Sequence, residues 1–171
     1  MPIIDNQSTQ FDIDGTGYGF SATRLDTLGA SEYTLVCIAA DTSSSVSTFR
    51  TEIEGCVSQV VEACRQAPRA DNLMMRLVQF DSKLKEVHGF KPLMECHVDD
   101  YKGALPCSGM TALYDATNNA IQSVRRYGKD LTNHGLLANA IVFVVTDGGD
   151  NASTATAQGV KDTIKGLRLS E

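Results

Sequence analysis

Positive charge is scarce in this chain: fifteen Lys and Arg stand against twenty-one Asp and Glu, a net charge of −6. A nucleic-acid partner is therefore not expected, because neutralising phosphates needs a basic face. The only local basic cluster is Arg125, Arg126 and Lys129. Its expected place is the C-terminal end of a helix, where cations complement the backbone dipole. Long apolar runs are missing too. No segment approaches the roughly twenty apolar residues of a membrane span, and Met1 to Asp5 has neither the basic start nor the apolar stretch of a signal peptide. Cysteine is present without a pattern: five residues, an odd number, and no pair at metal-ligand spacing. Cys37 lies in an apolar run, and Cys56 and Cys64 are expected on the apolar face of a helix. Thiols so placed behave as small hydrophobes, and a reducing, cytoplasmic compartment is expected. Cys96 and Cys107 fall in loops with no visible helix terminus or basic neighbour to lower a thiol pKa.

What is present fits one α/β domain; 171 residues leave little for a second. Tyr33 to Ala40 is an unbroken apolar run rich in β-formers, expected as a strand buried on both faces. Phe49, Ile53, Cys56, Val57, Val60 and Cys64 recur at helical spacing, which predicts a helix from about Ser47 to Arg65, stopped by Pro68. Leu73 to Phe80 reads as the next strand. The tight Asp81-Ser82 connection then makes Lys83 to Phe90 an antiparallel strand, polar and placed at the sheet edge. Leu113, Ala116, Ala120, Ile121, Val124 and Tyr127 mark a second helix, with Gly128 expected as its C′ residue. Ile141 to Val145 is another buried strand, and Val160, Ile164 and Leu167 suggest a last helix weakened by Gly159 and Gly166. Residues 1–30 read differently, as an N-terminal arm with a disordered lead and an extended stretch from Tyr18 to Leu25. Gly15, Gly17 and Gly19 lack the preceding strand and following helix of a phosphate-cradling loop.

Three connections carry polar oxygen atoms toward one crevice. Asp41-Thr42-Ser43-Ser44-Ser45 follows the first strand, Ser108-Gly109-Met110-Thr111 precedes the second helix, and Thr146-Asp147-Gly148 follows the last strand. In an open parallel sheet the carboxyl ends of the strands are where ligands bind. Carboxylates and hydroxyls suit a hard cation. Each piece has a plainer reading: Asp41 and the serines as a helix N-cap, Thr111 as the cap of its own helix, Asp147-Gly148 as a turn. Asp150 and Asn151 read as an ordinary solvated turn beside the site.

Taken together, Asp41-x-Ser43-x-Ser45, the distant Thr111 and Asp147 in Thr-Asp-Gly resemble the metal-ion-dependent adhesion site of von Willebrand factor type A (vWA) domains. The resemblance runs from about Glu32 to the last residues, and it departs where the family often has Gly and this chain has Ser44. It implies a three-layer, doubly wound, Rossmann-like vWA fold over residues 31–171, with a mostly parallel sheet and one antiparallel edge strand. It also implies that the usual last strands are missing, as in a C-terminally truncated version, so that Ile141–Val145 is left at an edge for the arm or another subunit to cover. Self-association through that edge is one expectation.

The implied function is a non-enzymatic, cation-dependent protein-binding domain. Ser43 and Ser45 would hold Mg²⁺ directly, with Mn²⁺ or Ca²⁺ as alternates, Thr111 would join directly or through water, and Asp41 and Asp147 would supply charge. A partner's Asp or Glu would complete the coordination. Two rival readings stand beside it: a metal-assisted hydrolase or phosphoryl-transfer enzyme, and a structural subunit of a larger assembly with a non-functional metal site. Hydrolysis calls for a general base. Of His88, His97 and His134, none lies in the three site loops, and solvated or packing roles are expected for them.

Overall fold

A computed structural model describes residues 7–168. The central strand, β3, spans Glu32–Asp41, and from Leu35 onward every residue in it is buried. Beside it lies β4, Leu73–Phe80, buried along its whole length and parallel to β3 with Thr34 opposite Leu73 and Asp41 opposite Phe80. On the other side of β3 runs β6, Leu137–Val145, also parallel, with Ala40 opposite Val145. Side chains of β3 alternate between two cores, as period-two geometry requires. Leu35, Cys37 and Ala39 enter one, and Val36, Ile38 and Ala40 the other.

The second of these cores is covered by helix α1, Arg50–Arg65, which buries Ile53, Val57 and Val61. The helix starts later than its apolar spacing suggests because Ser44–Phe49 winds as a 3-10 helix first. Three residues per turn instead of 3.6 shift the phase, and Phe49 is left 55 % exposed. Cys56 lies about 100° round the helix from Val57 and is exposed, while Cys64 is half-buried. Cys64 packs against the core at the edge of the buried stripe, as expected, whereas Cys56 does not. All five cysteines are free.

The first core is covered by α2, Leu113–Asn133. It passes straight through Gly128, because Tyr127 and Leu131, one turn apart, are both fully buried and hold the next turn in place. The left-handed residue that ends the helix is Gly135, at φ 78°. Arg125 and Arg126 are therefore inside the helix rather than at its end. Arg126 lies over the Phe11 ring at 5.8 Å and pairs with Asp130 at 3.3 Å. Helix α3, Ala157–Arg168, packs on α2. No helix among the described residues is long and apolar enough to cross a membrane.

The other end of the sheet departs most from expectation. The hairpin strand β5, Leu84–Pro92, is antiparallel to β4 but is not an edge. The residues read as an N-terminal arm form two strands antiparallel to each other: β1 (Ser8–Asp12), in the lead expected to be disordered, and β2 (Gly19–Thr23), in the stretch expected to be extended. Strand β2 then pairs parallel to β5, giving the order β1-β2-β5-β4-β3-β6. The hairpin cannot also cover β6, which lies five strand spacings, about 24 Å, from β1. Its place is set by burial: Phe20 and Ala22 enter the core beside Phe90 and Tyr127, and Phe11 stacks on Phe20 at 5.0 Å. The lead residues 1–6 lie outside the described residues.

A buried polar network locks this end. Arg76 on β4, only 1 % exposed, reaches Glu86 on β5 at 2.8 Å and Asn119 and Ser123 on α2 at 3.0 and 3.2 Å. Its guanidinium lies 5.6 Å from the centre of the Phe20 ring. The other Glu86 oxygen accepts hydrogen bonds from the Ser21 backbone and hydroxyl. One arginine thus joins four elements.

Candidate metal site at the carboxyl edge of the sheet

Because β3, β4 and β6 are parallel, their carboxyl ends share one edge. Asp41, Asp81 and Thr146 stand at or just past the three ends. Asp41 is fully buried, and both of its oxygens are engaged. Oδ1 accepts the Ser43 amide at 2.8 Å and Oδ2 accepts the Thr146 hydroxyl at 2.7 Å. The first bond bends the chain so that Ser43 and Ser45 fall side by side, with hydroxyl oxygens 2.9 Å apart. Ser43 is 1 % exposed, whereas Ser45 opens to solvent. Asp41 does not cap a helix, and the 3-10 helix after Ser43 has no side-chain cap.

The Thr111 loop is pinned against this one by backbone bonds. Ser44 N donates to Gly109 O at 3.0 Å, and Ser108 N donates to Thr42 O at 2.7 Å. Gly109, at φ 71°, sits in the left-handed region this turn needs. Asp81 adds a second tie, accepting the Ser108 hydroxyl at 3.0 Å on its side chain and the Ala112 amide at 2.8 Å on its carbonyl. Thr111 is only 4 % exposed, and its hydroxyl has no hydrogen-bond partner among the described residues. It does not cap α2.

Asp147 is exposed and accepts only the Gly149 amide, at 3.4 Å. The structure therefore brings Asp41, Ser43 and Ser45 into direct contact, and ties Thr111 and Asp147 to them through their neighbours. Asp150 and Asn151 are not a plain solvated turn. Asn151 Oδ1 accepts the Thr111 amide at 2.7 Å, and Asp150 Oδ1 accepts the Tyr114 amide at 3.3 Å and the Ser153 hydroxyl. Thr146, Asp81 and Asn151 are the site residues that sequence reasoning missed. Thr146 had a signal, as the residue before Asp147 on a strand parallel to β3. Asp81 had one in its place at the end of β4.

The donor set suits a hard cation. The 2.9 Å separation of the serine hydroxyls is close to the edge of about 3.0 Å in an octahedron with metal–oxygen bonds of about 2.1 Å. Asp41 forms no ion pair among the described residues, and a buried carboxylate bonded only to neutral donors favours a nearby positive charge. Among the described residues no three His, Cys, Asp or Glu side chains cluster as metal ligands. A soft-metal site is thus not built here, and hydroxyls would carry the coordination.

The histidines and the described cysteines lie outside the three site loops. Burial pushes the thiols of Cys107, Cys96 and Cys64 up from their ordinary values, away from the thiolate. His88, for which a solvated or packing role is expected, is packed, held between Gly89 O at 2.9 Å and the Tyr101 hydroxyl at 3.0 Å. Burial lowers its pKa to about 4. His134 bonds Asp130 O at the end of α2, and His97 opens a 3-10 turn before Tyr101.

No family model matches this sequence, and no curated protein matches it. Its fold does match solved structures. A von Willebrand factor type A protein from Catenulispora acidiphila is 18 % identical over 86 % of this chain and 32 % of that one, with a TM-score of 0.55. Proximal thread matrix protein 1 of the mussel byssus is 19 % identical over 81 % of this chain and 34 % of that one, TM-score 0.55. The pilus adhesin SpaC of Lactobacillus rhamnosus GG is 12 % identical over 84 % and 18 %, TM-score 0.55. The chain spans about a third or less of each. At such identities the likeness establishes the fold: a three-layer α/β sandwich of the vWA type.

Proposed function

We propose that this chain is a protein-binding domain of the adhesion type whose contact is bridged by a divalent cation, Mg²⁺ in the first instance. The observation that carries this reading is the hydroxyl pair of Ser43 and Ser45 beside the buried Asp41 carboxylate, which has no ion-pair partner among the described residues. Ser43, Ser45 and the unpartnered Thr111 hydroxyl are the direct ligands. Asp41 contributes charge while its hydrogen bonds to Ser43 and Thr146 hold the loop, and Asp147 contributes charge from the rim. The bound ion supplies an electropositive centre with a coordination position left open. Because the protein's neutral hydroxyls leave much of that charge uncompensated, the ligand that completes it is anionic, an Asp or Glu carboxylate of a partner protein. The adhesin SpaC and the byssal matrix protein, built on this fold, agree in kind with such a role.

Thermal unfolding with and without MgCl₂ tests the reading. A hundredfold excess over Kd stabilises by about 2.7 kcal/mol, and roughly 2–4 °C per kcal/mol is expected at this chain length. Ser45→Ala, which removes one exposed ligand, and Asp41→Asn should each abolish the shift. A melting temperature insensitive to Mg²⁺ and Mn²⁺ in the unsubstituted protein would end the proposal. Affinity capture with and without chelator tests the partner, and capture unaffected by chelation would refute bridging.

A further inference from the structure

Strand β4 ends at Phe80, opposite Asp41 in the register of the sheet. The turn that follows, Asp81-Ser82-Lys83, is therefore delivered to the same edge as the candidate site. Asp81 shapes this turn itself: its amide donates to Lys83 O at 3.0 Å, and its Oδ1 accepts the Lys83 amide at 2.9 Å. From there the turn grips the loop that carries Thr111 at three points. Asp81 Oδ2 accepts the Ser108 hydroxyl at 3.0 Å, Ser82 Oγ accepts the Met110 amide at 2.9 Å, and Asp81 O accepts the Ala112 amide at 2.8 Å. Gly109 lies in the middle of the grip, where a Cβ would come within 2.7 Å of Ser82 Oγ. The other flank of the loop is tied through Thr42, whose carbonyl accepts the Ser108 amide and whose own amide donates to Phe80 O at 2.8 Å. Ser108 thus stands where three segments cross, with its hydroxyl on Asp81 and its amide on Thr42.

We propose that Asp81 is a positioning residue for the cation, acting by geometry through the Thr111 loop and not as a ligand. The inference rests on the cation reading above and adds to it a residue outside the three site loops. Both Asp81 oxygens are engaged, one by the Lys83 amide and one by the Ser108 hydroxyl, so the carboxylate holds its neighbours in place. The loop has little of its own to fix it, since Met110 is 54 % exposed and Gly109 has no side chain. Gripped from both flanks, Thr111 is in place before an ion arrives, and binding does not have to order the loop. Groups that orient a metal ligand from behind typically contribute about ten- to a hundredfold in affinity.

Two measurements test this: hydrogen exchange without added cation, and Mn²⁺ binding followed by the EPR signal of the free ion. Asp81→Ala should speed exchange at the Ser44 and Ser108 amides, which tie the two loops, and leave Leu35–Ala40 of the central strand unchanged. It should weaken Mn²⁺ binding roughly tenfold or more. Ser108→Ala, at an exposed position, should reproduce both effects. Asp81→Asn keeps an oxygen for the Lys83 amide and offers an N–H to the Ser108 hydroxyl, so it should preserve slow exchange and tight binding without the charge. In a Thr111→Ala background, Asp81→Ala should add little further loss of affinity, because both act on one ligand. No Mn²⁺ binding by the unsubstituted chain would end the cation reading and this inference with it. Binding that Asp81→Ala leaves intact, or that Asp81→Asn weakens as much as Asp81→Ala, would overturn the positioning role alone.

Discussion

The two edges of this sheet are finished in opposite ways. At one, a five-residue polar strand closes a hairpin that is held by stacked aromatic rings and by a buried arginine reaching four elements. At the other, a nine-residue apolar strand has no strand partner on its outer side among the described residues, and is attached by its backbone ladder to β3 and by one face to the core. The hairpin edge is specified by side chains that have one good arrangement, and each depends on the others. The β6 edge is specified by backbone alone on its outer side, which any extended segment of suitable polarity satisfies. Side-chain networks make an edge particular, and bare backbone leaves it receptive.

That contrast can be broken most forcefully at Arg76. Arg76→Ala leaves Glu86 and Asn119 without their shared donor and should cost about 3 kcal/mol or more, read from urea unfolding. The double variant Arg76→Met/Glu86→Gln should recover part of the loss, because no lone charge is left behind. Acid should weaken the same side. His88, on β5, has a folded pKa of about 4 against an ordinary 6.5, so the unfolded chain binds a proton that the folded one refuses. Its contribution is complete above about pH 6.5 and is lost as pH falls toward 4, on the order of 2–3 kcal/mol by linkage. His88→Gln should flatten that part of the pH profile. Gly89 permits the close approach of β2 to β5, since a Cβ there would overlap the Ser21 backbone. Gly89→Ala should therefore cost about 1–3 kcal/mol, with hydrogen exchange accelerated in Ser8–Thr23. The smallest effect on folding belongs to the β6 edge, where Phe143 is 37 % exposed: Phe143→Lys should change stability by less than Gly89→Ala, read from the same urea unfolding.

The middle of the molecule was legible in the sequence because its signals are local. The apolar runs of β3 and β4 and the helical spacing of Ile53 and Val57 need no distant information, although Val61, which completes the buried stripe, was not singled out. The loop from Asp41 to Ser45 was legible for the same reason, since one short segment carries the carboxylate and both hydroxyls. What could not be read depends on pairings far along the chain. Nothing in Gly19–Thr23 announces that it will run parallel to Leu84–Pro92, and without that pairing β5 looks like an edge. Arg76, inside a strand whose every residue is buried, has no local mark of its four partners. Gly128 misleads because a glycine after an apolar stripe usually ends a helix, and only the burial of Leu131 shows why this helix continues. Asp150 and Asn151 look like solvent-facing turn residues until α2 is placed beneath them.

The ladder between β3 and β6 joins Glu32–Ala40 to Leu137–Val145, a separation of about a hundred residues, and the entropy of closing so long a loop must be overcome before that contact returns anything. A chain emerging from the ribosome therefore carries β3 with one flank open until Leu137–Val145 has been synthesised. The timing of folding, and the interval in which nascent copies are most prone to stick together, are set by when β6 arrives.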